Sequence, residues 1–427
     1  MPGALSISSL RPNQTTQRGN EMDNNYQDVF NYVNEEELVR FTQELIRTNS
    51  VYDPAKEGFN EEKVANFIAN YLKKLGLEVH VQAVVKGRPN VIGILKGKKE
   101  GKTILFEGHT DVVTAGDIEE WDYDPFAATI DNNRIYGRGA CDTKGNVAAA
   151  IFAVKSIIES KSEFKGNILL CIPCDEEGMM IGIKDFIKNG WADNVDGAVI
   201  CEPEENNICI CQKGAMRIVI RSYGKMAHGA MPLAGINPNW GMAKIICELE
   251  QLEASEKERL GKHDYLGYPS ITPTILMAPS KGEAQINVIP KECYTTLDIR
   301  TVPEQDHETL KTQIQEIVDR LAKGNKEFKA DMEVIEERPW TETSKDDPVV
   351  VAIAKAYTLV TGKEPIYNGV PGATDGTFLH CLKGIPIITT GAGDRLIPHQ
   401  ADEWVGIDEL VETTKMYALT AMIYLNE

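Results

Sequence analysis

The chain has 427 residues, of which 64 are Asp or Glu and 45 Lys or Arg, giving a formal net charge of −19 at pH 7. That surplus of acid excludes a general nucleic-acid binder, because holding a polyanion needs clustered cations that displace its counterions. Charged residues are 26% and the hydrophobic set 42% of the chain, so a sizeable core is expected and disorder of the whole is not.

Residues 1–21 are polar, unpatterned and without an apolar signal core, and are read as a disordered extension. No run approaches the roughly 18 consecutive apolar residues of a spanning helix, so no membrane partner is expected and the chain reads as cytoplasmic. In 60–76, Val64, Phe67, Ile68, Tyr71, Leu72 and Leu75 recur at helical spacing before Gly76. Short apolar runs follow at 77–84, 90–95 and 103–107. A helix is expected from about 142, with Val147, Ile151, Val154 and Ile158 on one stripe, and then strands at 167–173 and 197–201. This alternation predicts an α/β domain, its first part 22–212, around a buried, mostly parallel sheet.

From 213 the order changes to a strand at 215–223, a helix at 237–254, strand runs at 271–278, 284–289 and 293–301, a helix at 304–322 and a strand at 331–336. One extra strand apart, that is the β-α-β-β-α-β order of a split βαβ sandwich, which predicts a smaller α+β domain over 213–337 inserted into the larger one. The α/β pattern resumes over 338–427, with a helix at 348–361, a strand at 385–390 and a helix at 408–425. The nine cysteines are odd in number and lie largely in apolar runs such as Ile168–Cys174 and Ile208–Gln212, which predicts reduced, buried thiols. Cys171-x-x-Cys174 has no second CxxC and is assigned no chemistry.

Acids and histidines stand at the ends of the buried strands. The run from Thr103 ends in Glu107-Gly-His109-Thr-Asp111, the run Ile168–Pro173 in Cys174-Asp175-Glu176-Glu177, and Gly197–Cys201 in Glu202. The carboxyl edge of an open α/β sheet is where ligands bind, and acids converging there repel one another unless a cation neutralises them. Taken singly, each has a plain structural explanation. Asp142 precedes a helix and Asp is a common N-cap; His399 lies in a loop after the strand at 385–390; Asp175-Glu176-Glu177 could be a solvated turn. His109-x-Asp111 is more specific, since alternate residues of an extended segment share a face and the carboxylate can orient the ring. Glu176 and Glu177, being neighbours, point in different directions, so one can bind a metal while the other serves as a base. The stretch Gly137–Gly145 has neither GxGxxG nor GxxxxGK[ST] spacing, which argues against nucleotide binding and a dinucleotide-dependent oxidoreductase.

Together these pieces resemble the dinuclear zinc amide hydrolases that include acetylornithine deacetylase, succinyl-diaminopimelate desuccinylase, aminoacylase and carboxypeptidase G. The likeness covers nearly all of 35–425. It rests on Gly108–Val113, Trp121–Phe126, Asp131, Gly137–Gly145, Asp175–Gly178, Glu202-Pro203, Gly224–Gly229, Asn287–Pro290, Asp298–Arg300, Gly372–Gly376 and Pro398–Glu403. The resemblance implies a zinc-exopeptidase-like catalytic domain with a ferredoxin-like lid and dimerisation domain. It implies two zinc ions per subunit, with cobalt or manganese as alternatives: His109 and Glu202 on one, Glu177 and His399 on the other, Asp142 bridging. Asp111 would orient His109, and a bridging hydroxide would attack while Glu176 shuttles its proton. His228 would stabilise the oxyanion, in this family from the partner subunit of a homodimer. Arg300 and Asn287 would hold a substrate carboxylate, and Gly372 and Thr374 would line the substrate site. Where the family has Gly-Pro-Gly before the last histidine, this chain has Gly391-Ala-Gly393 followed by Asp394-Arg395, which would alter the pocket near His399.

The expected activity is metal-dependent cleavage of an amide bond in a small N-acyl amino acid or short peptide with a free carboxylate. A dipeptidase or aminopeptidase using the same site is the alternative. A non-catalytic dimeric scaffold would be favoured by loss of a ligand or of the base, and none of these residues is missing.

Overall fold

A computed structural model describes residues 29–323 and 329–427. The extension expected at 1–21 lies outside the described residues. The chain divides into two compact units, one of Met1–Ile172, Ala352–Glu364 and Ala392–Glu427, the other of Pro173–Val351 and Pro365–Gly391.

In the first unit the strands Glu78–Val85, Arg88–Lys96, Lys165–Ile172 and Lys99–Glu107 lie side by side in that order. The first three pair antiparallel, and Lys99–Glu107 runs parallel to Lys165–Ile172 with Phe106 opposite Leu170. A two-residue link with Gly87 at φ +78° closes the first hairpin and forces its strands antiparallel. Against this sheet packs the helix Gly145–Glu159, buried from Gly145 to Ile157 rather than along one stripe. Its three consecutive alanines, Ala148 to Ala150, permit close approach by the helices Glu35–Arg47 and Ile407–Asn426. The helix Glu35–Arg47 begins where the Asn34 side chain accepts from Glu37 N at 3.1 Å, and carries three Glu in its first turn, as the helix dipole favours. A three-stranded ribbon of Thr129–Asp131, Arg134–Tyr136 and Trp404–Gly406 completes the unit. Its two-residue turn has Asn132 and Asn133 at positive φ, the conformation a tight hairpin needs.

In the second unit Gly197–Ile200 runs parallel to Ile387–Thr389, and Ile208–Gln212 pairs parallel with Tyr367–Val370 and antiparallel with Thr341–Glu342. The α/β class expected from the sequence is present, but strand pairing in both units is mixed, not mostly parallel. Runs buried on both faces have the same composition in either direction, so the sequence pattern could not set it.

The second unit also holds an antiparallel four-stranded sheet in the order Ser270–Met277, Glu292–Thr301, Gly214–Tyr223, Lys329–Arg338. Numbered along the chain that order is second, third, first, fourth, the arrangement of a ferredoxin-like sandwich. Along Glu292–Thr301 burial alternates without exception. Met216, Ile218, Leu297 and Ile299 meet Met242, Ile245 and Leu249 of the helix Pro238–Leu260 and Leu310, Ile314 and Val318 of the helix His307–Lys323. The strand expected at 284–289 is reduced to Val288–Ile289, paired with Ala227–His228 outside that sheet. Among the described residues no helix is long and apolar enough to cross a membrane. All nine cysteines are unbridged; seven are buried, while Cys247 and Cys381 are exposed, contrary to expectation. Cys247 lies on the helix Pro238–Leu260, clear of the face that packs on the sheet.

Candidate metal centre

The first unit brings His109, Asp142 and His399 together. His109 follows the strand Lys99–Glu107 and is 1% exposed. Its Nδ1 donates to the backbone carbonyl of Asp111 at 3.0 Å, while the Asp111 carboxylate lies 3.6 Å away. The ring is therefore held by the main chain of Asp111, with the Asp111 carboxylate beside it. A carbonyl can only accept, so Nδ1 carries the proton and Nε2 is left with its lone pair. That Nε2 stands 3.1 Å from Asp142 Oδ1, and His399 Nε2 stands 3.4 Å from Asp142 Oδ2.

Each carboxylate oxygen of Asp142 thus faces a different imidazole. Two donors bound tetrahedrally to a zinc ion at about 2.0–2.1 Å are about 3.3–3.4 Å apart, and the two contacts fall close to this spacing. Nitrogen and oxygen lone pairs converging in this way fit a divalent cation. Burial alone would raise the Asp142 carboxyl, but His109 and His399, when both imidazoles are protonated instead of holding a cation, donate to it and keep it well below the usual carboxylate range.

Asp142 is not an N-cap. It has φ −117° and ψ 93° within the irregular turn Ala140–Lys144, the peptide after it is cis, and the helix Gly145–Glu159 starts without a side-chain cap. Its backbone N–H donates to Glu403 Oε1 at 3.0 Å, as does that of Cys141 at 2.9 Å. Glu403 Oε2 accepts from Arg138 Nη1 at 2.5 Å. Asn146 adds a second tie, its amide exchanging hydrogen bonds with Ala392 N and O at 2.8 and 3.0 Å. Glu403, Arg138 and Asn146 were not singled out in the sequence. Glu403 and Arg138 lie inside motifs that were, and those memberships were the available signal.

In the second unit Asp175 has φ +67°, and its Oδ2 accepts from Met179 N at 3.0 Å. The acidic run is therefore not a loose solvated turn: Asp175 is buried and ties it, and Glu176 and Glu177 are half-buried beside it. Gly178 has no room for a Cβ, which would lie 2.6 Å from Asp175 Oδ1. Glu202, buried, follows the strand Gly197–Ile200. In the first unit the ligand atoms of His109, Asp142 and His399 converge as candidate metal holders, while Glu177 and Glu202 belong to the second.

The remaining expected residues also lie in the second unit. His228 is exposed on the ribbon opposite Val288, and its Nδ1 accepts from Ala230 N at 3.1 Å. Asn287 precedes that partner strand, its carbonyl accepting from Gly229 N at 2.6 Å. Arg300 already engages Asp298, through Nε at 2.6 Å and Nη2 at 3.2 Å. Thr374 is buried and donates to Gln212 Oε1 at 2.9 Å, while Gly372 has open space where a side chain would stand.

Comparison with known proteins gives one consistent result. Residues 105–423 match the profile described as Peptidase family M20/M25/M40. The chain is 30% identical over 404 residues to N-formyl-4-amino-5-aminomethyl-2-methylpyrimidine deformylase of Bacillus subtilis, covering 89% of this chain and 93% of that one. It is 26% identical to a probable succinyl-diaminopimelate desuccinylase of Staphylococcus aureus, covering 87% and 95%. In fold it is similar to an M20 family metallo-carboxypeptidase from Sulfolobus solfataricus, with a TM-score of 0.75 at 23% identity over 91% of this chain and 99% of that one.

Proposed function

Because the chain belongs to peptidase family M20/M25/M40, and is therefore a metal-dependent hydrolase, we propose that it cleaves the amide bond of a small N-acyl amino acid that carries a free carboxylate. The observation that carries this reading is the Asp142 carboxylate, with one oxygen turned to His109 and the other to His399. His109 and Glu202 would hold one divalent ion, Glu177 and His399 a second, and Asp142 both; zinc suits the mixed nitrogen and oxygen set. When bound, such ions polarise the scissile carbonyl and lower the pKa of water.

The protein's own residues do the rest. Glu176, next to the ligand Glu177, takes the proton of the attacking water and hands it to the leaving nitrogen. His228 donates to the oxygen that becomes negative. Its place on an exposed ribbon suits a residue that acts across a homodimer, with 213–337 as the lid and dimerisation domain. Arg300 and Asn287 hold the substrate carboxylate, Arg300 by exchanging one arm of its fork from Asp298 to substrate. Gly372 and Thr374 line the substrate site. Nine unbridged thiols accord with a cytoplasmic protein. The names of two relatives, a deformylase and a probable desuccinylase, favour an acyl substrate over a dipeptide.

Purified protein should contain two equivalents of divalent metal and hydrolyse at least one of a panel of N-formyl, N-acetyl and N-succinyl amino acids faster than dipeptides. Glu176→Gln should keep the metal and lose turnover by roughly 10²-fold or more. Turnover close to wild type in that variant would remove Glu176 as the base, and faster dipeptide cleavage would replace the acyl substrate.

A further inference from the structure

We infer that Glu403, paired with Arg138, is a positioning residue that sets the separation of Asp142 from His399 and thereby the affinity for metal; this rests on the metal-site reading above. Both side chains are buried, Glu403 at 0% and Arg138 at 1% exposure. One oxygen of the Glu403 carboxylate takes the N–H groups of Cys141 and Asp142, the other takes Arg138 Nη1, and the Glu403 backbone carbonyl takes Gly137 N at 2.8 Å. A single residue thus gathers donors along the whole approach to Asp142, including Asp142's own main chain.

The same residue is anchored to the segment that carries His399. Glu403 lies four positions after His399 and directly before the strand Trp404–Gly406, whose register with Arg134–Tyr136 is fixed by the pairs Trp404 with Tyr136 and Gly406 with Arg134. Next to it, Asp402 Oδ1 accepts from Asp122 N and Tyr123 N at 2.9 and 3.2 Å. The distance between Asp142 and His399 is therefore set by one short, doubly anchored path. Stability does not account for the pair, since a buried ion pair gives back in desolvation about what it gains in attraction. What an apolar pair could not supply is an acceptor that pins two adjacent N–H groups at the turn bearing the shared carboxylate. Partners of this kind behind metal ligands typically contribute roughly 10–100-fold to affinity.

The test is calorimetric titration of Zn²⁺ into metal-stripped protein, alongside thermal unfolding of the same stripped samples. Arg138→Met/Glu403→Leu removes the acceptor without stranding a buried guanidinium. Glu403→Asp keeps the charge but withdraws the carboxylate by one methylene. Each should lower Zn²⁺ affinity roughly 10–100-fold while the stripped protein still unfolds cooperatively. A merely structural role would lower the melting temperature and leave the affinity of the folded protein unchanged. A loss below about tenfold in the folded variants overturns the inference. If the double variant does not fold, Glu403→Asp alone decides. Should the wild type take up no Zn²⁺, it is the metal-site reading that falls, whatever Glu403 does.

Discussion

His307, buried at the start of the helix His307–Lys323, has Nδ1 3.0 Å from Glu337 Oε1 and Nε2 2.7 Å from Thr301 Oγ1. Neutral imidazole satisfies both, donating to the carboxylate and accepting from the hydroxyl. Burial is the largest influence on its proton and lowers its pKa from 6.5, with the Glu337 hydrogen bond opposing. As pH falls below 6.5 the unfolded chain takes up this proton before the folded one, so His307 contributes a loss of stability on acidification that is absent above that pH. Between pH 7.5 and 5.5, His307→Gln should lose less stability to urea than wild type; equal losses would assign the acid sensitivity elsewhere. Proton placement also separates what was readable in the site from what was not. His109, Asp142 and His399 could be picked out because, ordinary one by one, they stand together with other acids at strand ends and in motifs that the family resemblance shares. Glu403 could not be given a part, because that part depends on N–H groups 261 and 262 positions earlier in the chain; its place in the motif Pro398–Glu403 was the one signal.

The helix Gly145–Glu159 shows how an element serves the site. A Cβ on Gly145 would lie 2.4 Å from the carbonyl oxygen of Ala140, so the glycine lets the helix start close against the turn that carries Asp142. Gly145→Ala should cost about 1–3 kcal/mol of stability, read from urea unfolding, and should also weaken metal uptake by displacing that turn. A stability loss without a change in uptake would show that the turn moves independently of the helix. The sequence located this helix and most others through their apolar spacing, although its burial on nearly every side was hidden by reading only one stripe. The run at 284–289 was misread for a comparable reason. Ala284, Ile286 and Val288 alternate as a strand would, yet Ile286 is fully exposed and only Val288–Ile289 finds a partner. Alternation predicts a strand only where something covers the apolar side.

Across the molecule, −19 of net charge favours solubility, and the apolar exceptions therefore stand out. The strand Ser270–Met277 is at the edge of its sheet, and Ile275, Leu276 and Met277 on it are exposed at 45, 61 and 45%. An exposed apolar edge strand invites pairing with another chain, which supports the proposed homodimer. Sedimentation equilibrium should give twice the chain mass for wild type and the chain mass for Leu276→Glu. A wild-type monomer would sink the dimer, and with it a role for His228 across the interface. The two kinds of sheet were legible in the change of strand and helix order at 213. Strand direction was not, because it depends on pairings between distant segments.

The first unit is assembled from three stretches of chain, and its helix Ile407–Asn426 packs on Gly145–Glu159. During synthesis the apolar helix is made roughly 260 residues before that covering helix, an interval of about 10–50 s at ordinary translation rates. For that time the nascent helix Gly145–Glu159 lacks one of the two helices that pack on it. Asp142 exists for the same interval without His399, so the shared carboxylate cannot acquire its second imidazole, or a metal held by both, until translation has passed residue 399.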